Sequence, residues 1–480
     1  MIVRRAVRVF LFLVSTFAVV AFLIIGVRLV TRPDAVDPTE VAVLEQAGHI
    51  ANSETIYPEP HDVHDRASMP GFPFAVSLMV RMFGVGLWEP RFLALLAMLL
   101  LTGLVMVIVH LETSDWTLTV TSAGSVLMGY GLLAEPPGMA RPETLMLLLA
   151  LLGFFALRIT NGIWGALLAA LLFAAAFYTG VQAAWWIAAA LFALAFDERR
   201  RLVAFTLMIA VTLGGGYVAL SHLLGPWFNF SAWDGPIQSM HLRPAGPLHY
   251  IGDHLLGKLG VPTLAAVLSF ALPTPPWRGK GGLWMCMGIA TLGAGLMSTQ
   301  MEAFGHQSLL PSVVALGMLG AISMQRVTRH LSAYPGSTRI GGQSVVLAAL
   351  ALQFVVFLSC LSASRWLSDA LSARPTSPRP AATATAPAQL AARRNASATP
   401  SAVAGRMPTS VMRPVISSCA VMSNPGLRAA VPTGATRTRL TAPASSRPST
   451  VRTSSADRSS IVIVAPVAVP RSIVVSGAAT

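Results

Sequence analysis

The sequence predicts an all-α, polytopic transmembrane bundle of about ten or eleven spans, with an extracytoplasmic first loop carrying amphipathic helices and a disordered C-terminal tail. Three observations lead there: the composition, the spacing of the apolar runs, and the side of the bundle on which basic residues fall. Of the 480 residues, 54% are hydrophobic and 11% are charged, and the mean hydropathy is +0.64. A soluble domain carries roughly 25% charged residues, so a water-soluble globule is excluded.

A crossing of the bilayer core takes about 20 apolar residues in a helix. Candidate runs lie near 9–30, 91–110, 116–134, 143–159, 163–179, 181–196, 202–223, 260–274, 282–299, 308–325 and 344–363. The first follows "MIVRRAVR". Its apolar core is longer than that of a cleaved signal and lacks a small-residue cleavage site, which reads as a retained signal anchor.

Between the first two runs lies the acidic segment 31–90, which holds Asp34, Asp37, Glu40, Glu45, Glu54, Glu59, Asp62 and Asp65. Within it "DPTE" places an acid at the N-cap, proline at the first helical position and glutamate at the third, a capping box. Behind it Val41, Leu44, Gly48 and Ala51 share one helical face, with Glu45, His49 and Asn52 toward the other. That pattern predicts an amphipathic helix on the membrane surface, started by Asp37.

Orientation follows from the positive-inside rule. With the N-terminus in the cytoplasm, the inner connections carry Arg158, Arg199 to Arg201, Arg278 with Lys280, and Arg326 with Arg329. The agreement requires 163–179 and 181–196 to be two separate passes. Segments 31–90, 134–143, 225–260 and 299–307 then lie outside with seven of the ten histidines, so the chemistry is expected on the extracytoplasmic face of the cell membrane.

The net charge of +14 does not mark a nucleic-acid partner. Thirteen arginines and one acid, Asp457, lie beyond residue 370, so the tail accounts for nearly all of it. Rich in Pro, Ala, Ser, Thr and Arg, residues 370–480 cannot bury enough apolar surface to offset their chain entropy and are expected to be disordered. The boundary is set at 369/370. Cys286, Cys360 and Cys419 stand far apart, with neither a disulfide framework nor zinc spacing.

Several side chains suggest chemistry from their type and place. "HDVHD" offers His61, His64 and Asp65 as weak divalent-metal ligands, although no fourth ligand is evident and no cofactor is required. Arg141 heads a helix at the outer face, where it suits a phosphate or interfacial snorkelling. Lys258 and Arg243 are further cations of the 225–260 loop. Trp185, Trp186, Trp227, Phe228, Phe230 and Trp233 fit an interfacial aromatic belt or a clamp on a bound ligand.

The ordered motifs of residues 31–160 resemble the GT-C class of integral-membrane glycosyltransferases, in particular the bacterial family-39-like group related to protein mannosyltransferases and aminoarabinose transferases. The matching residues are Asp37 and Glu40, Ser53-Glu54 with Tyr57, Pro70 to Phe74, Phe83-Gly84, Leu87-Trp88 with Arg91, and Ala140 to Glu143. Departures are Thr39 and Ser53 in place of glycines, Glu143 in place of aspartate, and Gly180 where a phosphate-contacting lysine is common.

The resemblance implies a hexosyl- or pentosyltransferase that moves a sugar from a polyprenyl-phosphate donor, with inversion, to a glycan, lipid or protein acceptor. It puts Asp37 and Glu40 forward as catalytic carboxylates. Arg141, with Lys258 or Arg243 replacing the missing lysine, would hold donor phosphate, and Tyr57, His306 and Gln307 would touch substrate. A transporter or flippase for a lipid-linked or polar solute, or an inactive scaffold of the same fold, are the alternatives.

Overall fold

The structure, a computed structural model, describes residues 2–35, 38–54, 56–57, 69–130, 140–225, 227–234, 245–270, 281–298, 309–332, 348–357 and 359. The chain divides into Met1–Thr399 and Pro400–Thr480. Every described residue lies in the first unit. The tail expected to be disordered, and the 369/370 boundary, fall outside the described residues.

Among the described residues the secondary structure is helical, with no strand. The helices are α1 Ile2–Val30, α2 Pro38–Ala51, α3 Gly71–Phe83, α4 Trp88–Thr113, α5 Trp116–Tyr130, α6 Pro142–Ile159, α7 Ile163–Thr179 and α8 Ala183–Ala195. Next come α9 Arg199–Ile209, a π-helical turn Ala210–Gly215, and α10 Gly216–Leu223. α11 Trp227–Asn229 and α12 Ala245–His249 each run into a further π-helical stretch, Phe230–Asp234 and Tyr250–Lys258. α13 Gly260–Phe270, α14 Gly281–Ser298 and α15 Leu310–Ser332 follow, and α16 is Ala348–Phe357.

Each of the eleven apolar runs read from the sequence falls on one of these helices. Among the described residues five helical segments are long and apolar enough to cross a membrane, namely Arg5–Val30, Trp88–Thr113, Pro142–Ile159, Arg199–Leu223 and Leu310–Leu331. Others, including α7 and α8, are shorter apolar helices. α7 and α8 are distinct, separated by the turn 180–182. At 1.5 Å per residue they are about 25 and 20 Å long, shorter than a ~30 Å hydrocarbon core.

Local chemistry sets the breaks. "HLETSDWT" ends α4 and starts α5 within two residues. Ser114 adopts a left-handed conformation (φ 56°) and its N–H bonds the His110 carbonyl, while Asp115 Oδ1 accepts the Thr117 N–H at 2.8 Å, as an N-cap does. Gly84, at φ 98°, closes α3 with its N–H on Val80 O. That backbone conformation favours glycine.

The expected single run 202–223 contains the π turn. Three consecutive glycines, Gly214 to Gly216, weaken it, and the Tyr178 hydroxyl sits 2.9 Å from the carbonyl oxygens of both Thr212 and Leu213, supplying a donor where the α-helical ladder is broken.

α4 packs against α5, α6 and α15 at the centre and α15 against α5, with α1 against α5, α7 against α6, and α8 against α14. α3 approaches α7 so closely that a Cβ on Gly71 would lie 2.6 Å from the Tyr178 carbonyl oxygen. This backbone-to-backbone contact brings the first loop over the end of α7. α3 buries Phe72, Val76 and Val80 but exposes Phe74, Leu78, Met82 and Phe83. An apolar outer face of that kind suits a helix at the lipid boundary.

α2 begins at Pro38 as predicted. Its buried face overlaps the one read from the sequence at Gly48 but is rotated from it. Glu40, Val43, Ala47 and Gly48 point inward against α3 and Ala94, with Leu44 and Ala51 only half-buried and Val41 at the edge. The face is turned toward Glu40 because that carboxylate is drawn into the protein by Arg91.

Candidate active site

Arg91 and Glu40 are both fully buried. The guanidinium presents five N–H donors, and five acceptors surround it. Nε bonds Glu40 Oε1 at 3.1 Å and Nη2 bonds Glu40 Oε2 at 2.7 Å, a two-pronged ion pair. Nη1 donates to the Leu29 and Arg32 carbonyls at 3.1 and 2.6 Å, and Nη2 to that of Asp34 at 2.7 Å. From the far side the Ala140 N–H reaches Glu40 Oε1 at 3.3 Å.

The Arg91–Glu40 pair therefore ties together the end of α1, the residues that follow it, the first turn of α2 and the residue before Arg141. A buried bidentate pair holds orientation more tightly than a point charge could. Glu40, read as a second catalytic carboxylate, has both oxygens engaged in this clamp. Together the two side chains fasten the first loop to the start of α6.

Arg141 is the N-cap of α6, extended at φ −124°, with Pro142 at the first helical position as expected. Two residues on, Glu143 is buried and Arg141 acts on its charge. Glu143 Oε2 has no hydrogen-bond partner among the described residues, so a carboxylate edge is held without a donor beside the candidate phosphate-binding arginine. Gly180 ends α7 next to both α3 and α6. A Cβ there would meet Met146 Sδ at 2.6 Å, so a side chain as long as lysine requires Met146 to move.

Tyr57, a predicted substrate contact, is buried and packs on Phe228 with ring centres 5.6 Å apart. Removal from water raises the pKa of its phenol above the ordinary tyrosine value. From Phe228 the rings continue through Tyr217 and Trp233 to Phe177 at the end of α7. Trp186, grouped with an interfacial belt, is instead a core residue that donates from Nε1 to Thr291 Oγ1 at 2.9 Å. Its burial follows from α8 packing on α14.

Lys258 ends a π-helical stretch and is anchored through its backbone, whose carbonyl accepts from Gln353 Nε2 at 2.7 Å. Asp37, Arg243, His306 and Gln307 lie outside the described residues, as do the metal candidates His61, His64 and Asp65. Among the described residues no group of three or more His, Cys, Asp or Glu is placed to hold a metal ion.

Ser53 and the clamp were not legible as such. Ser53 stands where related motifs carry glycine, and the structure shows why: it sits at φ 60°, in the left-handed region. The following Glu54 N–H bonds the His49 carbonyl at 2.8 Å, and Glu54 Oε2 meets His49 Nδ1 at 2.7 Å. Glu54, a residue of the matching motif, thus fastens the end of α2. Arg91 was visible as the last residue of a motif, but its partners are far away in sequence and nothing local identifies them.

No known family profile matches the chain, and no curated protein aligns with it. Among solved structures it is similar to ArnT from Cupriavidus metallidurans in the apo state. The alignment has 14% identity and a TM-score of 0.47, covering 72% of this chain and 75% of that one. A second is the same protein bound to undecaprenyl phosphate, at 13% identity and a TM-score of 0.44, covering 74% and 78%. No substrate follows from alignments of that kind, and the chemistry has to be read from this chain's own residues.

Proposed function

We propose that the protein is a multi-pass glycosyltransferase of the cell membrane, moving a sugar from a polyprenyl-phosphate donor to a glycan, lipid or protein acceptor on the extracytoplasmic face with inversion. The observation that carries the proposal is the Arg91–Glu40 clamp, because it joins the two motif segments such a reaction needs. Through Glu40 it fixes α2, whose first residue Pro38 follows Asp37 in the sequence, and through the bond from Ala140 to Glu40 the segment that continues into Arg141.

In the proposed step the acceptor hydroxyl oxygen attacks the anomeric carbon from the face opposite the phosphate. The bond from that carbon to the phosphate oxygen breaks, and its electron pair leaves on the polyprenyl phosphate. The hydroxyl proton passes to the carboxylate of Asp37. Arg141 stabilises the charge gathering on the leaving phosphate, with Lys258 or Arg243 as the second cation in place of a lysine at position 180. The leaving group is already an anion of low basicity, so no general acid is required.

The test uses purified protein in nanodiscs with a polyprenyl-phosphate sugar and a hydroxyl acceptor, following release of polyprenyl phosphate. Wild type is expected to release it, and Asp37→Asn to lose about 10²-fold or more of the rate with an unchanged unfolding temperature. Full turnover by Asp37→Asn would remove that residue from the mechanism. Solute uptake into proteoliposomes without cleavage of any donor would replace the enzyme by a transporter.

A further inference from the structure

About 30 Å along α4 from Arg91 a second charge cluster joins four helices. Glu112 Oε1 accepts both Arg158 Nε at 2.7 Å and the indole N–H of Trp284 at 3.1 Å. Arg326 on α15 interacts electrostatically with Glu112 and with Arg329. Gln325 and Arg329 reach the carbonyl of Thr113, at 3.2 and 3.5 Å.

The charges at this cluster do not balance. Three guanidiniums gather near one carboxylate, and of the three, among the described residues, only that of Arg158 hydrogen-bonds it; Arg326 interacts with it electrostatically and Arg329 stands beside Arg326. A backbone carbonyl accepts a hydrogen bond from Arg329 but carries no neutralising charge. Arg329 is exposed and Arg326 half-buried, so a partner can reach both, and they stand one helical turn apart on the same face.

The level of the cluster in the membrane is marked independently. Trp116 and Trp164, at the starts of α5 and α7 and next in sequence to the ends of α4 and α6, are 66% and 82% exposed. Exposed indoles at helix ends mark the headgroup layer. Exposed Leu111 and Leu168 continue the apolar surface beside them, along which acyl chains can lie.

We propose that Arg326 and Arg329, braced by the Glu112–Arg158 pair, bind the phosphodiester headgroup of an anionic phospholipid. Two adjacent guanidinium forks match the geometry of phosphate oxygens, and the excess of positive charge selects a headgroup with net negative charge over a zwitterionic one. This site is separate from the proposed catalytic one and does not depend on the sugar-transfer reading.

The experiment counts lipids retained on the full-length protein by native mass spectrometry after reconstitution in mixed phosphatidylglycerol and phosphatidylcholine. Wild type is expected to enrich phosphatidylglycerol. Arg329→Gln should reduce that enrichment roughly fivefold, and Arg326→Gln with Arg329→Gln should abolish it. Arg199→Gln with Arg200→Gln, the same charge removed from two other exposed arginines, should leave it intact.

Equal loss in both double variants would mean diffuse surface charge and overturn the site. Unchanged enrichment in Arg326→Gln with Arg329→Gln would overturn it as well. Complete displacement of phosphatidylglycerol by millimolar inorganic phosphate would make it a free-anion site and refute the lipid assignment. Arg329→Gln, at an exposed position, decides the matter should the double variant not fold.

Discussion

Replacing Arg91 by leucine removes five hydrogen bonds and leaves the Glu40 carboxylate buried without a counter-charge. Removing one side of a buried ion pair costs about 3–5 kcal/mol, since the remaining charge has neither water nor partner. The last-turn carbonyl of Leu29 loses a buried charged donor, worth about a further 1 kcal/mol, while those of Arg32 and Asp34 lie near the surface and regain water. The total is about 5 kcal/mol.

Glu40→Leu keeps the three carbonyl bonds to the guanidinium and should cost about 4 kcal/mol. The double variant leaves no uncompensated charge, so its cost falls short of the sum of the singles by about 3 kcal/mol, at the upper end of coupling between neighbours. In nanodiscs, unfolding followed by tryptophan fluorescence should shift down by about 5–10 °C for Arg91→Leu. A shift of under about 1 °C, or strictly additive effects in the double variant, would refute the clamp as the organiser of the first loop.

Three further outcomes follow from backbone and burial. Ser53→Gly relieves a left-handed serine and should raise stability by about 1 kcal/mol, read as a higher unfolding temperature with unchanged turnover. Gly71→Ala drives a methyl group onto the Tyr178 carbonyl and should cost about 1–3 kcal/mol, seen as earlier proteolysis of the first loop. Burial raises the pKa of the phenols of Tyr57 and Tyr250. Their contribution is therefore fully present below the unfolded tyrosine pKa of about 10 and is lost as pH rises above it, because the unfolded chain gives up the protons first. Tyrosinate absorbance and unfolding temperature above pH 10 measure this, and Tyr57→Phe should flatten the decline.

Much of the architecture is legible without coordinates because membrane helices announce themselves by composition. Every apolar run became a helix, Pro38 and Pro142 start α2 and α6, and Ser114 with Asp115 cut α4 from α5. Crossing the bilayer asks only for length and hydropathy in a contiguous stretch. The turn of the buried side of α2 toward Glu40 was not legible, because a glutamate looks outward-facing until its distant partner is known.

The sequence by itself determined the helical membrane character and the order of the motifs around Asp37, Tyr57, Arg91 and Arg141. Local patterns, hydropathy and capping suffice for those. Tertiary structure alone decided that Glu40 is half of a fully buried ion pair, that Arg91 gathers α1 and α2 around one guanidinium while Glu40 accepts from Ala140, that Trp186 is core, and that Arg158 and Arg326 meet Glu112 at the other end of α4 with Arg329 beside them. Each of these joins residues tens to hundreds of positions apart, and a charge declares its role only through what lies within a few ångströms of it in the folded chain.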